Sequence, residues 1–214
     1  MKLYNVTLIA IDGAGNRPEL KKVLTYCCKS IIFNDVLLLS SNINLYNSNS
    51  FKIIEIDKLS YAGWNKFIIK ELYKYINTSH YLFVDYDGFI INPNLWDDRF
   101  LDYDYIGSPW KYPNHIFTNV VDQKIKERNA SQINLVGNGG FTLRSKKLLE
   151  IAKDCSDTRY NPEDVYICTN NYDYFINNGI KFAPVEIANK FSNDPPNMKD
   201  CFGFHGDKGL LHNI

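Results

Sequence analysis

Apolar and polar positions alternate from Leu3 to Ile11, the period-two pattern of a strand with its sides facing different surroundings. The turn Asp12-Gly-Ala-Gly-Asn16 follows, and Arg17-Pro18 opens a predicted helix reaching about Ser30. Asp35 to Ser40 is a short apolar strand, Ser41 to Ser50 an Asn/Ser loop, and Phe51 to Ile56 a third strand. From Tyr61 to Ile76 the apolar residues Trp64, Phe67, Ile68, Leu72 and Ile76 follow a helical period. His80 to Val84 is a fourth strand.

Strands alternating with helices predict an α/β fold with a mostly parallel central sheet and helices on both faces, Rossmann-like in its N-terminal half. In such sheets, ligands bind outside the carboxyl ends of the strands. The second half is less regular. It predicts a short strand at Tyr103 to Ile106 and a polar stretch, partly helical or mobile, from Tyr112 to Gln132. A glycine-rich turn and strand follow over Leu135 to Arg144, then a helix capped by Ser145 and running to about Lys153. Pro162 to Asn178 reads as a helix ended by Gly179, and Ile180 to Ala183 and Glu186 to Phe191 read as strands. No repeat or linker divides the chain, so one domain over 1–214 is expected, with a nucleotide-binding half (1–92) and an acceptor-binding, catalytic half (93–214).

The fourth strand carries the main chemical signal, Tyr81-Leu-Phe-Val-Asp-Tyr-Asp-Gly88. Asp85 and Asp87 are spaced i, i+2 where an apolar strand ends, so both carboxylates can converge on one hard divalent cation. The same spacing also suits a strand-end turn in which Asp caps backbone amides. A third reading is the D-x-D-G motif of haloacid-dehalogenase-like phosphatases, with Asp85 as nucleophile. Here Phe89 follows Gly88, and about three strands come before the motif.

Three further clusters follow in order. In Gly137-Asn-Gly-Gly140, backbone can approach a ligand closely, or Asn138-Gly139 can simply turn a hairpin. In Asn161-Pro-Glu-Asp-Val-Tyr166, Glu163 and Asp164 open a helix, where they complement its dipole or serve as a general base. The dipole lowers a carboxylate pKa, so a base there needs burial to offset it. In Phe202-Gly-Phe-His-Gly206, His205 is either a packed core side chain or a metal ligand, and Lys208 follows as a free cation.

Taken together in this order, the motifs resemble GT-A-fold glycosyltransferases. The match is closest to a glycosyltransferase-like domain family whose substrates are poorly known. Asp87-Gly-Phe-Ile-Ile-Asn-Pro93 with Trp96, Asp104-Tyr-Ile-Gly-Ser-Pro-Trp110, Gly137 to Ser145, Pro162 to Tyr166 and Phe202 to Gly206 carry the resemblance, which is most specific over 80–206. It implies a Mn2+ or Mg2+ cofactor held by Asp85, Asp87 and His205, and a nucleotide-sugar donor, UDP-sugar favoured. The donor would meet Ala10 and Asp12 at the end of the first strand, Lys66, Asn138, Gly139, Gly140 and Lys208. The base would be Asp164 or Glu163, with Asp164 favoured, in an inverting transfer. A retaining transfer is implied if no carboxylate faces the acceptor. Trp110 would stack on an acceptor sugar, and Lys111 to Gln132 would shape the site for a glycan, glycolipid or glycoprotein acceptor. A catalytically dead nucleotide-sugar or glycan-binding module would share the motifs but turn nothing over.

Composition narrows the class. The 214 residues carry formal net charge +0, which argues against a dedicated nucleic-acid surface. The five cysteines are odd in number and lack a C-x-x-C pair. They fit a reducing, cytoplasmic setting as small apolar packers. The sequence has no run of 18 apolar residues and no secretion signal at its start, so neither a spanning helix nor export is expected.

Overall fold

The computed structural model describes residues 1–110, 136–194 and 200–214. The predicted stretch Tyr112 to Gln132, and the acceptor-shaping role given to it, lie outside the described residues.

The protein is mixed α/β. The strands β1 (Lys2–Asp12), β2 (Ile32–Ser40), β3 (Lys52–Glu55), β4 (His80–Phe83), β5 (Tyr105–Ile106) and β6 (Thr142–Ser145) form one six-stranded sheet in the order β3-β2-β1-β4-β6-β5. β1 runs parallel to β2 and β4, β2 runs parallel to β3, and β6 is antiparallel to β4 and β5. Both halves of the chain therefore contribute to one sheet. The helices α1 (Glu19–Cys27) and α2 (Tyr61–Lys70) cover opposite faces. The pleat decides which residues meet which helix. Leu8, Ala10, Leu38 and Leu82 pack with Leu20, Val23 and Leu24 of α1. Ile9, Ile11, Leu37, Leu39 and Phe83 pack with Phe67 and Ile68 of α2.

The strand order places β2 and β3 on one side of β1 and β4 on the other. The chain therefore reverses direction across the sheet between β1 and β4. The crevice outside the carboxyl ends of those two strands is the switch point where open α/β sheets bind ligands.

The C-terminal half departs from several expectations. The helix expected over Tyr61 to Ile76 ends at Lys70 and continues as a single 3-10 turn, Leu72–Lys74. α3 (Lys146–Ala152) is capped by the Ser145 hydroxyl, which accepts the Leu148 amide, as expected. The helix expected from Pro162 to Asn178 is three short pieces. They are α4 (Glu163–Val165), a π-turn Tyr166–Asn170 and α5 (Tyr172–Asn177), with Pro162 outside the first turn in extended backbone. The strand expected at Glu186 to Phe191 is a helix, α6 (Val185–Phe191), which buries Ala188 and Phe191 one turn apart. From Ile180 to Ala183 only Phe182 makes an isolated bridge, to Tyr105. β7 (Ser192–Asn193) and β8 (Gly203–Phe204) form a separate two-stranded pair.

Candidate functional site

The chain turns back directly after β4. The Asp85 amide donates to the Gly88 carbonyl (2.8 Å) and the Gly88 amide to the Asp85 carbonyl (3.2 Å). This tight turn lifts Tyr86 and Asp87 to its apex at the carboxyl end of the strand.

The C-terminal segment then runs beside it. The Phe204 amide donates to the Phe89 carbonyl (3.2 Å), the Gly206 amide to the Asp87 carbonyl (2.8 Å), and Ile90 bridges Gly203. These bonds carry His205 to Asp87, with Nε2 3.8 Å from Oδ1. The imidazole lies over Gly140, where an added Cβ would come within 2.0 Å of Nε2. Gly140 is therefore required by the close approach of the ring, not by backbone angle.

Gly139 has the same relation to the carboxylates of α4. Its amide donates to Asp164 Oδ2 (3.0 Å), and an added Cβ would meet Glu163 Oε1 at 2.3 Å. Two consecutive glycines thus touch the two expected centres, Asp164 on one side and His205 with Asp87 on the other.

The two carboxylates of α4 differ in environment. Glu163 is buried, and its Oε1 accepts from Arg144 Nη2 at 2.7 Å, an ion pair with both side chains at or below 5% exposure. Its backbone amide donates to Asn65 Oδ1 (2.8 Å). That commits Glu163 to the protein and leaves Asp164 as the base candidate. Asp164 is half-buried and accepts amides from Gly139 and Val165 (2.7 Å). Burial pushes its carboxyl up to about 6, and the neighbouring Glu163 charge adds to the rise. This burial supplies the offset to the helix dipole that a base at this position needs.

Asp85 is also raised, to about 7, first by burial and then by the Asp87 charge, against a bond from the Tyr86 amide to its Oδ1 (2.7 Å). That bond turns one oxygen back into the turn, so the expected triad of Asp85, Asp87 and His205 forms as a pair, Asp87 and His205, with Asp85 beside it. Among the described residues, no three His, Cys, Asp or Glu side chains converge as an unaided metal cage. The donor set still suits magnesium or manganese, because such ions commonly take one or two carboxylates and complete their shell with substrate phosphates and water.

A cleft of about 360 Å³ opens at the switch point between β1 and β4. Its walls are Ile11 to Ala14, Arg17, Leu59 to Tyr61, Trp64, Asp85 and Tyr86. Asp12 lines it, but its carboxylate is engaged within the protein. Oδ1 accepts the Gly15 (2.9 Å) and Asn16 (3.0 Å) amides, and Oδ2 accepts the Arg17 amide (3.2 Å) and the Tyr46 hydroxyl (2.7 Å). Asp12 therefore shapes the loop after β1. Ala10 is fully buried in the sheet, so its side chain does not face the cleft.

Arg17, which the sequence pattern gave no reason to single out, stands over the Tyr86 ring at 4.3 Å, and Lys208 stands over the same ring at 5.1 Å. Two cations thus flank the ring between Asp85 and Asp87.

Lys66 is exposed on α2 and does not line the cleft. At 100° per residue it stands on the far side of the helix from Trp64, which does line the cleft. Trp110 does not offer a stacking face either. It is 7% exposed, and an added Cβ on Gly137 would fall 2.1 Å from its ring, so the ring lies against that backbone. Asn138 stands at the turn with φ 50°, a backbone region that asparagine tolerates, and its amide donates to Asp194 (3.0 Å). Asn65 and Arg144 went unseen at the sequence level, because no spacing rule links either to Glu163. Among the cysteines, Cys27, Cys155, Cys168 and Cys201 are buried packers, and burial pushes the Cys27 thiol up to about 12.

Among the described residues, no helix is long and apolar enough to cross a membrane. Among solved structures, the bifunctional IspDF from Campylobacter jejuni is similar at 15% identity with a TM-score of 0.48. The superposition covers 92% of this chain and 52% of that one, so this chain spans about half of that protein's length. No curated protein matches the sequence. The family described as "Protein of unknown function (DUF5672)" matches residues 50–205, which include both Asp85 to Gly88 and His205, and the chain belongs to that family.

Proposed function

We propose that the protein is a metal-dependent glycosyltransferase. In this reading it moves a sugar from a nucleotide-diphosphate sugar, UDP-sugar favoured, to a hydroxyl of a glycan, glycolipid or glycoprotein. One observation carries the proposal. Gly139 touches the Asp164 carboxylate, and the next residue, Gly140, touches His205 beside Asp87. A proton acceptor and a diphosphate-handling pair therefore flank the same two residues of backbone.

The chemistry follows from that adjacency. An acceptor hydroxyl attacks the anomeric carbon and the bond from that carbon to the diphosphate oxygen breaks, with the electron pair leaving on the diphosphate. Asp164 takes the hydroxyl proton. A divalent cation at Asp87 and His205 would supply neutralisation of the diphosphate charge. Arg17 and Lys208, both over the Tyr86 ring, add positive charge beside that pair. Attack opposite the leaving group inverts the anomeric configuration. The phosphatase reading fits less well. Asp85 has one oxygen bonded into its own turn, and its carboxyl, raised to about 7, is largely protonated below neutrality.

The test is a panel of UDP- and GDP-sugars incubated with manganese and mixed glycan acceptors, with released nucleoside diphosphate as the readout. Release that depends on acceptor and is lost in Asp164→Asn supports the proposal. Release of phosphate from simple phosphomonoesters, with no sugar transfer, contradicts it.

A further inference from the structure

Among the described residues, Arg144 is one of the largest fully buried side chains, at 1% exposure. Its Nε donates to Thr142 Oγ1 (3.0 Å), its guanidinium lies 5.0 Å from the centre of the Tyr105 ring, and its Nη2 donates to Glu163 Oε1 (2.7 Å). Arg144 lies on β6 and Glu163 on α4, so the pair fastens the α4 turn to the central sheet. Asn65 of α2 fastens the same turn from another direction, through the Glu163 amide (2.8 Å). Glu163 Oε1 in turn packs against Gly139, whose amide holds Asp164.

A buried ion pair is a costly way to join two elements, since apolar packing can do so with less desolvation. Its presence beside the proposed base calls for a reason. Here the guanidinium neutralises Glu163, so the charge left over when both carboxylates are ionised is that of Asp164.

We propose that the Arg144–Glu163 ion pair is a positioning device for Asp164, holding its carboxylate against the Gly139 amide with the Glu163 charge fixed beside it. The role of Asp164 rests on the glycosyl-transfer reading above, whereas the coupling between Glu163 and Asp164 does not. Among the described residues, the groups whose charge reaches Asp164 are Glu163 on its own element, Arg144 from β6, Tyr105 from β5, Tyr61 from α2 and Cys168 from the π-turn. Tyr61, Tyr105 and Cys168 all have raised pKa values, chiefly through burial, and stay neutral near pH 6. Glu163 and Arg144 are then the charged neighbours that set how readily Asp164 takes a proton.

The experiment follows the Asp164 carboxyl carbon by NMR across pH 4 to 8, without substrate, in wild type and in Glu163→Gln. The glutamine keeps the shape and removes the charge, leaving Arg144 to act on Asp164 alone. Asp164 is expected to titrate lower by about one pH unit, and the Gly139 amide to remain hydrogen-bonded. Removing both charges in Arg144→Gln/Glu163→Gln guards against misfolding of the single variant, and there Asp164 is expected to titrate between wild type and Glu163→Gln. A folded variant in which Asp164 titrates as in wild type overturns the proposal. A merely structural pair would change the melting temperature without moving that titration. The measurement needs no turnover, so a failed transfer assay alongside a shifted titration would sink the glycosyltransferase reading and leave the coupling standing.

Discussion

His205 lies 3.8 Å from the Asp87 carboxylate and directly over the α-carbon of Gly140, so a single methyl group decides whether that pair can form. A Cβ at position 140 would come within 2.0 Å of Nε2, closer than a contact can be relieved without moving the ring. Gly140→Ala is expected to push His205 off Asp87 and weaken manganese-dependent UDP binding about tenfold or more, a loss of roughly 1.4 kcal/mol. Metal-free UDP binding should change much less. Calorimetry with and without manganese reads both values.

Arg17 and Lys208 flank Tyr86 at the apex of the carboxylate turn. If they serve the diphosphate, Arg17→Gln and Lys208→Gln should each weaken UDP binding about three- to thirtyfold, as expected for loss of one charge-assisted contact. UMP, with one phosphate fewer, should lose less. Equal losses for UDP and UMP would place the two cations on another part of the nucleotide.

The raised carboxyl of Asp164 makes activity and stability respond to pH in opposite directions. As a base, Asp164 works only when ionised, so transfer should rise with pH and reach half its plateau near about 6. For stability, the folded-state pKa lies above the unfolded value of 3.8, so the folded protein binds the proton more tightly. That contribution is fully present below about 4 and is lost as pH rises through about 6. Asp164→Asn removes the charge, so it should abolish transfer and yet raise stability at pH 7.5 by about 1 kcal/mol, allowing for partial solvent access. Urea unfolding at pH 4.5 and 7.5 checks this, with the larger gain expected at the higher pH.

Asp12 accepts three backbone amides and the Tyr46 hydroxyl, which shape the loop between β1 and α1. Asp12→Ala leaves those donors without their partner and should cost about 2–4 kcal/mol of stability. Because the loop also forms a wall of the cleft, nucleotide binding should fall as well. Asp12→Asn, which keeps an acceptor, should recover part of both. Denaturant unfolding with a parallel UDP titration separates the two effects.

Much of the site was legible because its signals are local. The apolar run ending in Asp85-x-Asp87-Gly88 states both the strand and its turn, and the apolar runs of β2 and β4 fit strands buried in a sheet covered on both faces, as Val6 to Asp12 of β1 also proves to be. The misses have specific physical causes. Val185 to Phe191 contains scattered apolar residues that suit either period, and Ala188 and Phe191 turn out to be buried one helical turn apart. Lys66 was placed near the donor by the family resemblance, but its helical angle from Trp64 points it away. Trp110 looked like a stacking platform, but its burial depends on Gly137, which approaches it only in three dimensions. The Arg144–Glu163 pair joins a strand to a helix with no repeat or spacing to announce it. Sequence patterns report what lies along one element, and these contacts arise between elements.

The central claim is that Asp87 handles a metal–diphosphate at the end of β4. Calorimetric titration of UDP and GDP, with and without manganese, on wild type and Asp87→Ala tests it most directly. The account predicts micromolar binding of one of these nucleotides that needs both manganese and Asp87. Binding that is indifferent to manganese, or unchanged by Asp87→Ala in a folded protein, would contradict it.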